Sequence, residues 1–248
     1  MEVRRFTRVE ELADAVVAEL EAVVTRNPMA VIGWPSGRTT VPVLRALARQ
    51  EPRFSLAGAT VAMMDDYALP TADGFCNANP DAHCSCQHWV DAELVPALSR
   101  WGAPAVLIPD AADPASYETT LDSLGGVDLF LVGVGSSDAH IAFNPPGTAS
   151  DSRTRVIKLA ETTRQDNLST FPDFRSLTEV PTHGVTVGLA TITGARKVLA
   201  IAHGPGKARI ARTVIDAGGF TTSLPATAFY LNPATEFLVA ALDEEEQA

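Results

Sequence analysis

Lysine is scarce in this 248-residue chain: Lys158, Lys197 and Lys207 are the only three among its 19 basic residues. Thirty acidic residues bring the formal net charge to −11. A surface this acidic repels phosphate backbones and anionic lipid headgroups, so neither nucleic acid nor a membrane is expected as partner. A small phosphorylated ligand stays open, because a few backbone amides and one or two cations suffice to hold it. Cysteine is equally sparse: three residues, an odd number, do not make a disulfide framework. Long apolar runs are missing too. The stretch Val127 to Gly135 falls far short of the ~20 residues that span a bilayer. The opening MEVRRFTRVEELADAVVAEL has no apolar signal-peptide core, and the expected location is cytoplasmic. What is plentiful is apolar content, 46% against 20% charged, too much for disorder. The length fits one domain over 1–248 more readily than two small ones, with a core that needs no staple.

Strand–turn–helix units dominate the pattern. Thr7 with Glu10 reads as a capping box, and Val9, Leu12, Val16, Leu20 and Val23 follow at helical spacing. Met29–Trp34 reads as a strand, followed by a helix from Val41 to Arg49. A second strand, Val61–Met64, ends in Asp65-Asp66-Tyr67, and Leu69–Asp81, rich in Pro, Gly and Asn, reads as loop. Helix Ser85–Leu98, strand Ala105–Ile108 and helix Tyr117–Leu124 come next. Val127–Val134 is nearly all apolar, as expected of a central strand covered on both faces. Thr154–Leu159 reads as a strand, while Val185–Thr193 is ambiguous and could begin a helix. Strand Val198–Ala202, helix Gly206–Ala217 and strand Phe237–Ala241 precede an acidic tail expected to fray. The spacing predicts an α/β fold, a mostly parallel sheet with helices on both faces. Chemistry then belongs in the loops at the carboxyl ends of the strands.

Five stretches could carry it. Between a strand and a helix, Ser36-Gly37-Arg38-Thr39-Thr40 offers hydroxyls, close backbone approach and a guanidinium to an anion; an ordinary capped helix start explains it equally well. Asp65 and Asp66, at the end of an apolar strand, raise each other's pKa as desolvated neighbours and suit proton transfer; the alternative is a strand end entering water. Asp138 and His140, two apart after the most buried strand, form an acid–base pair in which the carboxylate fixes the imidazole tautomer. Lys207, after Gly204-Pro205-Gly206, sits in a first helical turn, where a cation is unfavourable unless an anion joins it. Finally Cys76, His83, Cys84, Cys86 and His88 crowd into thirteen positions. That density permits zinc, yet the spacing matches no standard ligand framework, and no metal is expected.

In order, these loops resemble the glucosamine-6-phosphate deaminase/isomerase family and its relatives, the 6-phosphogluconolactonases. The resemblance spans nearly the whole chain and rests on Met64-Asp65-Asp66-Tyr67-Ala68-Leu69-Pro70, on His140-Ile141-Ala142-Phe143-Asn144 through Pro146-Gly147, and on Ser152-Arg153-Thr154-Arg155. Val185-Thr186-Val187-Gly188 and Gly204–Lys207 match further. It implies a Rossmann-like three-layer α/β fold, a hexose 6-phosphate substrate and no cofactor. By the same resemblance Asp65 moves the proton between C1 and C2, and His140 opens the pyranose ring with help from Asp138. Ser36, Gly37, Thr39 and Lys207 hold the phosphate.

Three departures stand out. Pro145 occupies the place of a glutamate that supports the ring-opening histidine in the family's deaminases. Ser169 falls where the family has a phosphate-binding arginine, and Arg38 stands where it has a small residue; Arg38 can replace the charge lost at Ser169, or fill the phosphate pocket. The loop before Asp138 is one residue longer. The expectation is a sugar-phosphate isomerase, with or without deamination, in which Asp66 supports Asp65 and Arg38 joins the anion site. A 6-phosphogluconolactonase-like hydrolase and a non-catalytic sugar-phosphate sensor are the alternatives. A homo-oligomer is compatible with the sequence, which does not require one.

Overall fold

The computed structural model describes residues 1–204 and 206–241. The acidic tail and its expected fraying lie outside the described residues, as does Pro205. Among the described residues the chain runs β1 (Glu2–Phe6), α1 (Val9–Arg26), β2 (Val31–Trp34), α2 (Val41–Arg49), β3 (Thr60–Met63), β4 (Asp65–Pro70) and β5 (Phe75–Asn77). There follow α3 (Cys86–Trp89), α4 (Val95–Leu98), β6 (Ala105–Leu107), α5 (Pro114–Ser123), β7 (Leu129–Gly133), β8 (Arg155–Lys158) and α6 (Glu161–Thr170). The last are β9 (His183–Thr186), α7 (Leu189–Thr193), β10 (Lys197–His203), α8 (Ala208–Asp216) and β11 (Thr235–Ala240). Between α3 and α4 the helix widens into a π turn, Val90–Leu94, so the predicted helix Ser85–Leu98 is one helical run in three windings.

Seven strands form a wholly parallel sheet in the order β1-β11-β10-β7-β2-β3-β6. Because side chains alternate across a strand, odd and even residues feed different cores. Ile32, Trp34, Leu129, Leu131, Leu199 and Ile201 pack with α1, α2 and the α3–α4 run on one face. Val31, Phe130, Val132, Val198, Ala200 and Phe237 pack with α5, α7 and α8 on the other. That is the three-layer α/β fold expected from the alternation.

A second sheet, antiparallel and in the order β5-β4-β9-β8, changes the picture around Asp65. Asp65-Asp66-Tyr67 is not a strand end entering a loop. It opens β4, paired Asp65↔Thr186, Asp66↔Val185 and Tyr67↔Gly184. The handover occurs at Met64, whose N–H donates to the Trp34 carbonyl (3.2 Å) and whose carbonyl accepts from the Val187 N–H (2.9 Å). The predicted loop Leu69–Asp81 likewise contains the end of β4 and all of β5, with Leu69 opposite Cys76. Of its Pro, Gly and Asn residues, Gly74 lies in the connection of a hairpin, Pro70 and Asn77 lie in its strands, and Asn79 and Pro80 follow it.

Three smaller expectations also move. The first helix is capped one residue later, with the Glu11 carboxylate accepting the Arg8 N–H (3.3 Å), in place of the Thr7–Glu10 frame. β1 was unannounced, because EVRRF is polar at an edge that pairs with β11 alone. α6 was unannounced because ETTRQDNLST buries only Thr163 and so has no apolar period. The ambiguous Val185–Thr193 divides between β9 and α7.

The turn between them is crowded. Gly188 caps α7 against the Ser152 backbone, where a Cβ would lie 1.9 Å from the Ser152 carbonyl oxygen. The Leu189 N–H also donates to the Ser152 hydroxyl (2.9 Å) and the Ala190 N–H to the Ser152 carbonyl (3.0 Å), so that backbone cannot easily withdraw. Gly188→Ala is therefore expected to cost about 2–3 kcal/mol, read as an earlier urea unfolding midpoint at unchanged slope.

Candidate active site

Four adjacent parallel strands, β10, β7, β2 and β3, end at a cavity of about 400 Å³. The strand ends and the segments that leave them supply its walls: Ser36 to Thr39 after β2, Met64 after β3 with Asp65 opening β4, Val134 to Ser136 after β7, and His203 at the end of β10 with Lys207 beyond it. β4 and α6 close the remaining side through Tyr67, Asp166, Asn167 and Thr170. Carboxyl ends of parallel strands all point the same way, which is why residues from distant parts of the sequence meet here.

Asp65 and Asp66 are neighbours with different surroundings. Asp66 is buried at 5% exposure, its Oδ1 accepting from the backbone N–H of Tyr67 (2.8 Å) and Cys86 (2.9 Å), its Oδ2 from Asn77 Nδ2 (2.9 Å). Burial raises its pKa while those three donors pull it back. Asp66 thus ties β4 to the start of α3 and to β5. Asp65 lines the cavity, and burial, with Asp66 alongside, lifts its pKa to about 7. A carboxyl poised there accepts and returns protons at neutral pH.

Across the cavity His140 Nδ1 lies 2.7 Å from Asp138 Oδ1, the same oxygen accepting the His140 N–H (3.1 Å). Thr162 Oγ1 donates to Asp138 Oδ2 at 2.5 Å. Burial works to raise the Asp138 pKa, but the bonds from His140 and Thr162 outweigh it and bring it down to about 2. A carboxylate that stays charged keeps the hydrogen on Nδ1 and leaves Nε2 as the working nitrogen. The ring rests against Gly135, where a Cβ would sit 2.2 Å from its Cε1 and Nδ1. Glycine there seats the imidazole. Ala139 (φ 59°) and Ala142 (φ 49°) flank this stretch in the left-handed region, a cost of roughly 1 kcal/mol or more each. The loop is pinned by the Ala226 N–H to the Ala139 carbonyl (2.9 Å) and by buried Asn144, whose Nδ2 donates to the carbonyls of Ile141 (3.0 Å) and Val187 (2.8 Å).

The other end of the cavity is cationic. Lys207 caps the start of α8 and donates its ammonium to the Val134 carbonyl. Burial lowers its pKa; Arg38 pushes the same way and Asp166 opposes. Arg38 reaches across so that Nη2 stands 3.4 Å from the Ser169 hydroxyl, so the two departures noted in the sequence are in contact. His203 joins them with Nε2 3.0 Å from the Thr39 carbonyl, its pKa lowered by burial and by Lys207 and Arg38. The loop is braced below by Thr40, which accepts from the Trp34 indole (3.0 Å) and donates to the Pro35 carbonyl (3.1 Å).

The structure therefore brings Ser36, Gly37, Arg38, Thr39, Asp65, Asp66, His140 and Lys207 onto one cavity, with Asp138 bonded to His140 outside the lining and the Asp66 carboxylate engaged by three donors. Sequence reasoning missed His203, Asp166 and Thr162. The first follows the apolar run Val198–Ala202 at the end of β10, an available signal; the others lie on α6, which had none. The cysteine–histidine stretch is dispersed. Cys76 is exposed on β5, Cys86 is buried and gives its N–H to Asp66, and the His83 ring packs on Phe174 at 4.5 Å between centroids. Among the described residues no group of three or more His, Cys, Asp or Glu could hold a metal ion, and no helix is long and apolar enough to cross a membrane.

This arrangement can be set beside known proteins. A glucosamine-6-phosphate deaminase of Beutenbergia cavernae is 35% identical over 236 residues, covering 92% of this chain and 85% of the relative. A solved structure of a monomeric glucosamine-6-phosphate deaminase superposes with a TM-score of 0.82 at 27% identity, covering 100% of this chain and 99% of the other. A 6-phosphogluconolactonase of Shewanella baltica shares the fold at 15% identity, with a TM-score of 0.69 over 98% of each chain. The family model described as glucosamine-6-phosphate isomerases/6-phosphogluconolactonase matches residues 5–238, and the chain belongs to that family.

Proposed function

We propose that this chain is a sugar-phosphate isomerase of the glucosamine-6-phosphate deaminase type, acting on a hexose or hexosamine 6-phosphate. One observation carries the reading: a carboxyl with a pKa of about 7, an imidazole backed by a carboxylate, and a pair of cations share a single cavity. In this proposal Arg38, Lys207 and the loop Ser36–Thr39 grip the phosphate, and Asp166 keeps that end from excess positive charge. His140, through Nε2, takes the proton from the anomeric hydroxyl and delivers one to the ring oxygen, which opens the pyranose. Asp65 then removes a proton from one of C1 and C2 and returns it to the other. Asp66, fully occupied by three donors, raises the basicity of Asp65 without touching the sugar. Release of ammonium, by addition of water to the C2 imine that protonation at C1 leaves, is a further step, and the isomerisation stands without it; with Pro145 in the place of the family's supporting glutamate, Asp138 is the carboxylate that backs His140.

The rival is a lactonase, in which His140 activates water and C2 keeps its hydrogen. Deuterium at C2 of glucosamine 6-phosphate is expected to wash out into solvent or move to C1. Retention of the label together with lactone hydrolysis would overturn the isomerase reading.

Two variants extend the test. Asp65→Asn is expected to lower kcat by at least about 10³-fold at nearly unchanged substrate affinity, measured by isothermal titration and turnover. It should also change stability with a sign set by linkage. In the unfolded chain an aspartate titrates near ~4, and in the fold Asp65 titrates at about 7. Its contribution to stability is thus fully present below pH ~4 and is lost as pH rises toward 7. Asp65→Asn should therefore match the parent Tm at pH 4 and exceed it at pH 8. Arg38→Ala is expected to raise KM about tenfold or more with kcat less affected, since a charged hydrogen bond to phosphate is lost.

A further inference from the structure

Helical threonines in this protein usually spend their hydroxyls on their own helix. Thr119, Thr120, Thr170, Thr193 and Thr213 each donate to the carbonyl four residues earlier, at 2.9 to 3.2 Å. Thr162 does not. It is the second residue of α6, and its hydroxyl crosses to Asp138, 24 positions away, at 2.5 Å. The bond fills the Asp138 oxygen that His140 leaves open. Asp138 Oδ1 already holds the His140 Nδ1 and backbone N–H, so with Thr162 on Oδ2 both oxygens have donors and the carboxylate plane cannot turn. The neighbouring Thr163 hydroxyl is 3.4 Å from His140 Nδ1, long beside the 2.7 Å bond to Asp138, and it is fully buried. At that distance it leaves the Nδ1 hydrogen to Asp138.

We infer that Thr162 is a positioning residue for proton transfer at His140, acting through Asp138. By holding the carboxylate in one plane it fixes the imidazole as the Nδ1–H tautomer, with Nε2 aimed into the cavity. It touches no substrate, so its effect falls on the rate of ring opening and not on binding. The inference deepens the isomerase reading and gives α6, a helix with little apolar packing, a part in the chemistry.

The test compares Thr162→Val and Thr162→Ser in the full chain by two readouts. The first is ¹⁵N NMR of the His140 ring at neutral pH without substrate, which reports the tautomer independently of activity. Parent and Thr162→Ser should show a protonated Nδ1 and a bare Nε2, whereas Thr162→Val should show averaged shifts from mixed tautomers. The second is turnover of glucosamine 6-phosphate. Thr162→Val should lose about tenfold in kcat at unchanged KM, the worth of one hydrogen bond to a charged group, and Thr162→Ser should recover it. A single tautomer in Thr162→Val, or equal damage by valine and serine to kcat and KM together, would overturn the inference. If the parent turns over no sugar phosphate, the isomerase reading fails, and the ¹⁵N shifts alone decide the role of Thr162.

Discussion

Met64 governs the architecture, because there the chain leaves one sheet for another. Its N–H is spent on Trp34 in the parallel sheet and its carbonyl on Val187 beside the antiparallel one. A single residue shared by two ladders leaves little freedom for the next, and Asp65 is delivered to the cavity as a result. A cavity between two sheets also explains why a carboxyl there is short of water. The same burial that stabilises the surrounding core raises the cost of charging Asp65, so its titration near neutrality follows from position.

Opposite it the economy is different. Asp138 is also partly buried, yet three hydrogen bonds, from the His140 ring, the His140 backbone N–H and the Thr162 hydroxyl, keep it ionised. Asp65 in the cavity and Asp138 behind His140 thus titrate far apart, one raised by burial and the other lowered by its donors. The family's name covers isomerisation and lactone hydrolysis. In the proposed isomerisation Asp65 moves a proton between carbons, a step that lactone hydrolysis lacks, and a carboxyl with a pKa of about 7 suits that step, which is why the isomerase reading is preferred.

Much of this was legible in the residues. The parallel sheet followed from the alternation of short apolar strands with amphipathic helices, and Asp138 and His140 from their spacing after the most buried strand. What escaped had a physical reason. β4 begins with two aspartates, so nothing in its polarity marked a strand; its pairing with β9 lies more than a hundred residues away. α6 was invisible because its residues face a cavity and neighbouring side chains instead of a core, and hydrophobic period is the signal by which helices are found. His203 passed unnoticed as the polar end of an apolar strand. Arg38 and Ser169, 131 positions apart, were read as paired departures from a resemblance, and their contact is a matter of distance that no local pattern encodes.

α6 has one more implication. Its first turn reaches Asp138 and His140 through Thr162 and Thr163, while Asp166, Asn167 and Thr170, one and two turns on, line the cavity toward the cations. Both halves of the pocket are therefore carried on one rigid rod about 15 Å long. In the proposed reaction a sugar lacking its charged terminus would forgo more than adhesion: α6 would lose its contact at that end, and catalytic speed would fall along with occupancy.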